Sequence, residues 1–237
     1  MGTIGSGSQR RLPKTAPARS LVEATFETLR HDIMDGSLTP GSKLRFEMLR
    51  DRYEVGASTL REALTRLVGE SLVTSEEQRG FRVAEISLAD LEDLTRTRKL
   101  VEIEALRQSI EAGDEIWEAE LVAAFHRLSK VEAQLADDPA HRQDEFEVRN
   151  REFHQALIAA CPSRSLKQIQ GIIYQQLERY RRISLSDHVV PRDVHGEHRR
   201  VMDAALARDA DLACRLEAEH IDLTLQAVSK ILAEDGR

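Results

Sequence analysis

The stretch Ser58-Thr59-Leu60-Arg61-Glu62-Ala63-Leu64-Thr65-Arg66-Leu67-Val68 decides how the amino-terminal third of this chain folds. Leu60, Ala63, Leu64, Leu67 and Val68 recur at helical spacing, which gathers them on one side of a helix and leaves Arg61 on another. Thr59 followed three residues later by Glu62 matches a capping box, so Ser58 or Thr59 is expected to close the helix N-terminus with its hydroxyl. A helix that buries one face and shows Ser58, Thr59 and Arg61 in its first turn can lie in a DNA major groove, where Arg61 reaches guanine or a phosphate. A lone surface arginine just as readily does no more than solvate a helix face, so the flanking sequence has to decide between the two.

Toward the N-terminus, Phe46, Leu49 and Tyr53 repeat the helical spacing as far as Gly56, whose tolerance of positive φ suits a tight turn between two helices. An earlier amphipathic helix from Leu21 carries Val22, Phe26, Leu29 and Ile33 and stops at Gly36, ahead of a Thr39-Pro40-Gly41 turn. Toward the C-terminus, Leu72-Val73-Thr74 and Phe81-Arg82-Val83 flank Glu76-Glu77-Gln78-Arg79-Gly80, the pattern of a β-hairpin with Gly80 at its turn. Three helices followed by a hairpin predict a winged helix-turn-helix over residues 20–86, its wing meeting the DNA backbone or minor groove.

Beyond Ile86 the pattern changes. Ser87 with Asp90 three residues on reads as a helix cap, and long helical patterns then follow one another, broken near Gly113-Asp114, Asp137-Asp138-Pro139, Cys161-Pro162, Pro191 and Asp209. Residues 87–237 are therefore expected to form an all-α antiparallel bundle, and the whole protein to be mainly α. Residues 1–19 carry Arg10, Arg11, Lys14 and Arg19 with no acid and no apolar run, and read as a disordered basic arm rather than a secretory signal.

Composition agrees with two modest domains: 237 residues, 41% hydrophobic and 4% aromatic, with 12 Gly and 6 Pro, which excludes disordered, collagen-like and all-β chains. Cys161 and Cys214 form no C-x-x-C pair, so neither a disulfide framework nor a cysteine zinc knuckle is expected, and a reducing compartment follows. No stretch approaches the roughly 18 uninterrupted apolar residues of a membrane span, which predicts a soluble cytoplasmic protein. Residues 1–86 carry 13 Lys and Arg against 12 Asp and Glu, and the remainder 21 against 29, so a polyanionic partner belongs at the amino end.

Four polar residues in the carboxyl part stand out. Asn150 and His154 share one helix face, and His198 and His220 lie symmetrically about the break at Asp209, so that an antiparallel helix hairpin would set their imidazoles side by side. Three histidines and a side-chain oxygen on inward faces of a bundle suit zinc or nickel. The plainer alternatives are that His198 faces solvent and that His220 pairs with Glu217 or Glu219. A metal-dependent hydrolase with Glu152 or Glu197 as base would need a catalytic assembly, and the chain has no H-E-x-x-H and no nucleophile motif, so no enzyme is expected.

The run Ile33-Met34-Asp35-Gly36-Ser37-Leu38-Thr39-Pro40-Gly41-Ser42-Lys43-Leu44, then Ser58 to Leu64, then Arg79-Gly80-Phe81-Arg82-Val83, resembles the GntR family of bacterial transcription regulators. The resemblance implies DNA contacts at Arg45, Ser58, Thr59, Arg61, Arg79 and Gly80, and a homodimer on a pseudo-palindromic operator. The family's usual basic residue ahead of the recognition helix is Ala57 here, and its acidic residue in the L-x-E stretch is Phe46, so base readout is expected to differ.

Arg98-Lys99-Leu100-Val101-Glu102, Asn150-Arg151-Glu152-Phe153-His154 and Glu197-His198-Arg199-Arg200-Val201-Met202-Asp203-Ala204-Ala205-Leu206 resemble the FCD effector domain of the FadR-type subfamily. The CsiR-like branch is the most similar, at Gly113-Asp114-Glu115-Ile116-Trp117-Glu118-Ala119 and Arg179-Tyr180-Arg181. Such domains often hold a divalent metal through an aspartate and three histidines, which correspond to Asn150, His154, His198 and His220, with an amide where the family has a carboxylate. His195 is a candidate substitute or outer group, and Arg98, Arg179 and Tyr180 are candidates to hold a small carboxylate effector. The implied function is a ligand-responsive repressor; a metal-free pocket whose histidines grip the anion directly is the alternative.

Overall fold

The computed structural model describes residues 18–76, 80–135, 139–186 and 192–234. The chain divides between Ile86 and Ser87 into two compact units.

The first unit contains helices α1 (Ala18–Met34), α2 (Phe46–Tyr53) and α3 (Ala57–Gly69) and strands β1 (Lys43–Leu44), β2 (Val73–Glu76) and β3 (Gly80–Val83). The antiparallel sheet has the order β1-β3-β2, with Leu44 opposite Phe81 and Thr74 opposite Arg82. Leu29, Leu49, Leu60, Leu64 and Leu67 are fully buried where the three helices meet. Each such side chain contributes roughly 1.5–3 kcal/mol through its removal from water.

Several local details differ from the sequence expectation. Helix α3 starts at Ala57 behind Gly56, so Ser58 and Thr59 lie inside its first turn, and neither caps it. The left-handed residue of the α2–α3 turn is Glu54, at φ 53°, whereas Gly56 is extended at φ −73°. The turn closes two residues earlier than the glycine suggests because the left-handed Glu54 ends α2, next to Tyr53, which is buried with its hydroxyl donating to Asp32 at 2.6 Å. Strand β1 was not expected: two residues carry no periodicity, and they become a strand only by pairing with β3. Gly80 has φ 92°, a conformation that favours glycine, at the start of β3. Arg79 lies outside the described residues, as do residues 1–17 of the expected arm, while Ala18 and Arg19 already belong to α1.

The second unit is helical: α4 (Leu88–Ala112), α5 (Glu115–Leu135), α6 (Pro139–Leu157), α7 (Arg164–Ser186), α8 (Val194–Leu206) and α9 (Ala210–Glu234). Ser87 caps α4 by accepting from the Asp90 backbone N–H, and Asp193 caps α8 in the same way through Gly196. Helix α5 packs on α6, α8 on α9, and α4 on both α7 and α9. Leu106, Leu121, Leu128, Phe153 and Val201 fill the core, and Trp117 anchors α5 to α6 by donating from Nε1 to the Ala156 carbonyl at 2.9 Å. Cys161 and Cys214 are both buried free thiols. Among the described residues no helix is long and apolar enough to cross a membrane.

Candidate functional site

Three helices of the second unit bring three imidazoles together. The α8–α9 hairpin turns at Arg208, which is left-handed at φ 60°, and at Asp209, whose carboxylate accepts from Leu212 N–H at 2.9 Å. This geometry faces His198 toward His220, with ring centroids 4.7 Å apart. His154, from α6, stands 5.4 Å from the first ring and 5.3 Å from the second. All three are buried, and their ligating nitrogens lie within 4.8 Å of one another.

Each ring is oriented by a carboxylate on Nδ1. Glu132 on α5 meets His198 Nδ1 at 2.8 Å, Glu197 meets His220 Nδ1 at 2.8 Å, and Glu102 and Glu217 meet His154 Nδ1 at 3.2 and 3.3 Å. A carboxylate on Nδ1 fixes the tautomer with its lone pair on Nε2 and makes that nitrogen a better metal ligand. Nε2 of His154 and of His198 are buried with no hydrogen-bond partner. So is Asn150 Oδ1, one helical turn from His154, while Asn150 Nδ2 donates to Tyr174 Oη at 2.6 Å. Unpartnered buried acceptors cost about 1–3 kcal/mol each, and imidazole nitrogens and an amide oxygen are all atom types that a borderline divalent cation takes as ligands. The three imidazoles present therefore fit a borderline transition metal, and Asn150 Oδ1 is a further buried oxygen one helical turn from His154.

Electrostatics favour the same reading at two of the three rings. Burial pushes His198 below its ordinary value despite Glu132, and burial with the neighbouring His198 ring holds His220 well below it, so both rings are neutral and able to ligate. Burial also pulls on His154, but Glu217 and Glu102 outweigh it and raise that ring. Burial opposes ionisation of Glu102, yet the Arg98 guanidinium keeps it well below the carboxylate range; Glu217 is likewise lowered against burial by His154, and Glu132 by His198. None of Asn150, His154, His198 and His220 is an anion. The negative charge that an aspartate would bring stands instead one layer out, on four carboxylates.

The other expected residues fall into two places. Arg98 is buried beside His154, but its Nε donates to Glu102 at 2.7 Å and its Nη2 to Glu102 at 3.1 Å and Glu217 at 3.4 Å. The two-pronged partner expected to be an effector is thus an internal glutamate four residues away, so an incoming carboxylate has to compete with it. Arg179 and Tyr180 bond to Asp90 instead, each at 2.6 Å, and Tyr180 Oη also accepts from the Ser87 backbone N–H at 3.3 Å. They fasten α7 to the first turn of α4, and only the Tyr180 ring lines a small cavity with Thr95 and Arg98. His195 is half exposed and takes the other oxygen of Glu132 at 2.7 Å, outside the ring cluster. His220 pairs with Glu197, not with Glu217 or Glu219, and His198 does not face solvent.

Glu132, Glu102 and Tyr174 have no site role in the sequence expectation, where Glu197 enters only as a hydrolase base and Glu217 only as a partner of His220. Glu197 adjoins His198 and Glu217 precedes His220 by three, so both could have been found by helical spacing. Glu132 and Tyr174 carry no local signal.

In the first unit Arg45, Ser58, Arg61 and Gly80 are exposed and Thr59 is half-buried. Arg61 lies over the Phe46 ring, 5.4 Å from its centroid, and meets no carboxylate among the described residues. Arg66 differs: it lies 4.0 Å from the Phe26 centroid and also donates to both oxygens of Glu23, at 2.7 and 3.2 Å, which makes it a brace between α1 and α3.

Comparison with known proteins gives a consistent result. The pattern described as bacterial regulatory proteins, gntR family, matches residues 21–83, and that of the FCD domain matches residues 93–223. The HTH-type transcriptional regulator BphR of Paraburkholderia xenovorans (strain LB400) is 46% identical over 213 residues, covering 90% of this chain and 87% of that one. The HTH-type transcriptional repressor GlaR of Escherichia coli (strain K12) is 35% identical over 212 residues, covering 88% and 96%. Among solved structures, E. coli McbR/YncC shares the fold with a TM-score of 0.69 at 21% identity, over 89% of this chain and 97% of that one.

Proposed function

Because the chain belongs to the GntR family of bacterial regulatory proteins and carries an FCD domain, we propose that it is a metal-assisted, ligand-responsive transcriptional repressor that binds operator DNA as a homodimer. The family regulates transcription and is not enzymatic. In this reading residues 20–86 recognise DNA in the cytoplasm, through Arg45, Ser58, Thr59, Arg61, Arg79 and Gly80, and residues 87–237 hold the effector and the dimer contacts. Winged modules of a dimer read paired half-sites, so the operator is pseudo-palindromic. The sign of regulation is supported by the relative from E. coli that is named a repressor.

The observation that carries the sensor half is the set of inward atoms without partners, His154 Nε2, His198 Nε2 and Asn150 Oδ1, beside rings whose Nδ1 atoms are all held by carboxylates. Asn150, His154, His198 and His220 would hold zinc or nickel, which when bound supplies positive charge and coordination positions for a small carboxylate effector. Glu132 and Glu197 orient the rings, and Glu102 and Glu217 keep Arg98 neutralised beside them. Effector control of DNA requires the effector to bind two dimer geometries with different affinity.

The raised His154 favours a second reading, in which a protonated ring and its neighbours hold an anionic effector without metal. Elemental analysis of untagged, full-length protein purified without chelator distinguishes the two. We expect close to one transition metal per chain, lost in His198→Ala; a metal-free wild-type protein would overturn metal assistance in favour of direct anion binding.

A further inference from the structure

Phe46 opens α2, is partly buried, and touches two elements of the first unit at once. On one side its ring packs against Phe81 of β3, with centroids 6.0 Å apart and planes inclined by 53°. Phe81 is itself part of the hydrophobic core, so Phe46 has a fixed backing. On the other side lies the Arg61 guanidinium, in the first turns of α3.

The kind of contact matters as much as its existence. A carboxylate placed beside Arg61 would take N–H donors from the edge of the guanidinium, the same donors that pair with guanine or phosphate. An aromatic ring attracts the guanidinium through its π face and leaves the in-plane donors free. Arg66 provides the contrast within the same helix: it too lies over a ring, but its donors are spent on Glu23. An exposed arginine with no partner loses much rotamer freedom when it docks, and a stack formed beforehand removes part of that cost.

We propose that Phe46 is a positioning residue that determines DNA specificity by holding Arg61 over its ring with its donors unspent, backed by Phe81 of the wing sheet. The inference rests on the reading of Arg61 as a DNA-contacting residue. Phe46 acts through Arg61 and need not touch DNA.

The test uses full-length protein and a duplex selected by the wild-type chain from a random double-stranded library, with a scrambled duplex as the non-specific probe. Binding is measured at one salt concentration for Arg61→Ala, Phe46→Leu, Phe46→Tyr and the Phe46→Leu/Arg61→Ala double variant. Phe46→Leu should weaken binding to the selected duplex by about three- to fivefold, the scale of an exposed cation–π contact. Scrambled-duplex binding should stay unchanged, the melting temperature should fall only by the small amount that the lost contact with Phe81 implies, and Phe46→Tyr, which keeps the ring, should match wild type. In the Arg61→Ala background Phe46→Leu should have no further effect. Phe46→Met, as large as leucine but longer and more flexible against Phe81, serves as a second replacement read in the same way. Equal effects of Phe46→Leu with and without Arg61 would overturn the proposal while leaving Arg61 as a DNA contact. An Arg61→Ala chain that binds the selected duplex like wild type would overturn both.

Discussion

His198 and His220 face each other across the α8–α9 hairpin with centroids 4.7 Å apart, and two different glutamates, Glu132 on α5 and Glu197 on α8, hold their Nδ1 atoms at 2.8 Å. The pair is therefore set by three helices, and disturbing a glutamate should act on the rings without removing a donor.

Glu132→Gln keeps the shape of that contact but removes its charge. Metal affinity should fall by about 10–100-fold, the usual consequence of altering a carboxylate behind a ligating histidine. Competition titration against a chelator of known affinity checks this, and unchanged affinity would separate Glu132 from the site.

Asn150→Asp places a carboxylate where the amide oxygen now stands, with the Tyr174 hydroxyl at 2.6 Å from the group it replaces. Tyr174 can turn from acceptor to donor, so the new anion keeps a partner. Metal affinity should rise on the order of tenfold, about 1.4 kcal/mol, in the same titration. A decrease would mean that Glu102 and Glu217 already supply all the negative charge the centre tolerates.

Tyr180 gives a pH dependence whose sign can be worked out. Burial, with Asp90 adding to it, raises the phenol from 10.0 to about 12. A raised group contributes stability that is intact below its unfolded value and is lost as pH climbs through its folded value. The wild type should therefore lose more stability than Tyr180→Phe between about pH 10 and pH 12 and show no such difference in slope near neutrality. Urea unfolding of both proteins across that range checks it, and parallel curves would refute the assignment.

Arg61 and Arg66 should respond in opposite ways to truncation. Arg61→Ala should leave melting unchanged and weaken operator binding by about 10–100-fold, the loss of one good base contact. Arg66→Ala should leave operator preference intact and cost about 0.5–1.5 kcal/mol of stability, from its exposed Glu23 pair and its contact with Phe26. Thermal melting paired with duplex titration separates the two.

Much of this architecture was legible in the chain because it is written in short-range periodicity. Leu60, Leu64 and Leu67 repeat at helical steps and are all fully buried, and the symmetry of His198 and His220 about Asp209 corresponds to a hairpin that joins their rings. What escaped depends on partners distant in sequence. β1 exists only through β3, Lys43 lying opposite Arg82, and two residues have no pattern of their own. Glu132 reaches His198 from another helix, 66 positions away, with nothing local to mark it. Arg98 is the opposite case: its partner Glu102 is one helical turn on, visible in the spacing, whereas the family resemblance draws attention to an effector carboxylate instead.

Glu132 also has a second oxygen, and His195 takes it from the surface side at 2.7 Å with more than a third of its side chain exposed. A single carboxylate is thus shared between a half-exposed ring at the surface and a ring in the core. A change at His198 should therefore reach His195 through Glu132 and shift its imidazole resonances, which NMR can follow. The buried centre has an observer at the surface that is not one of its own donors.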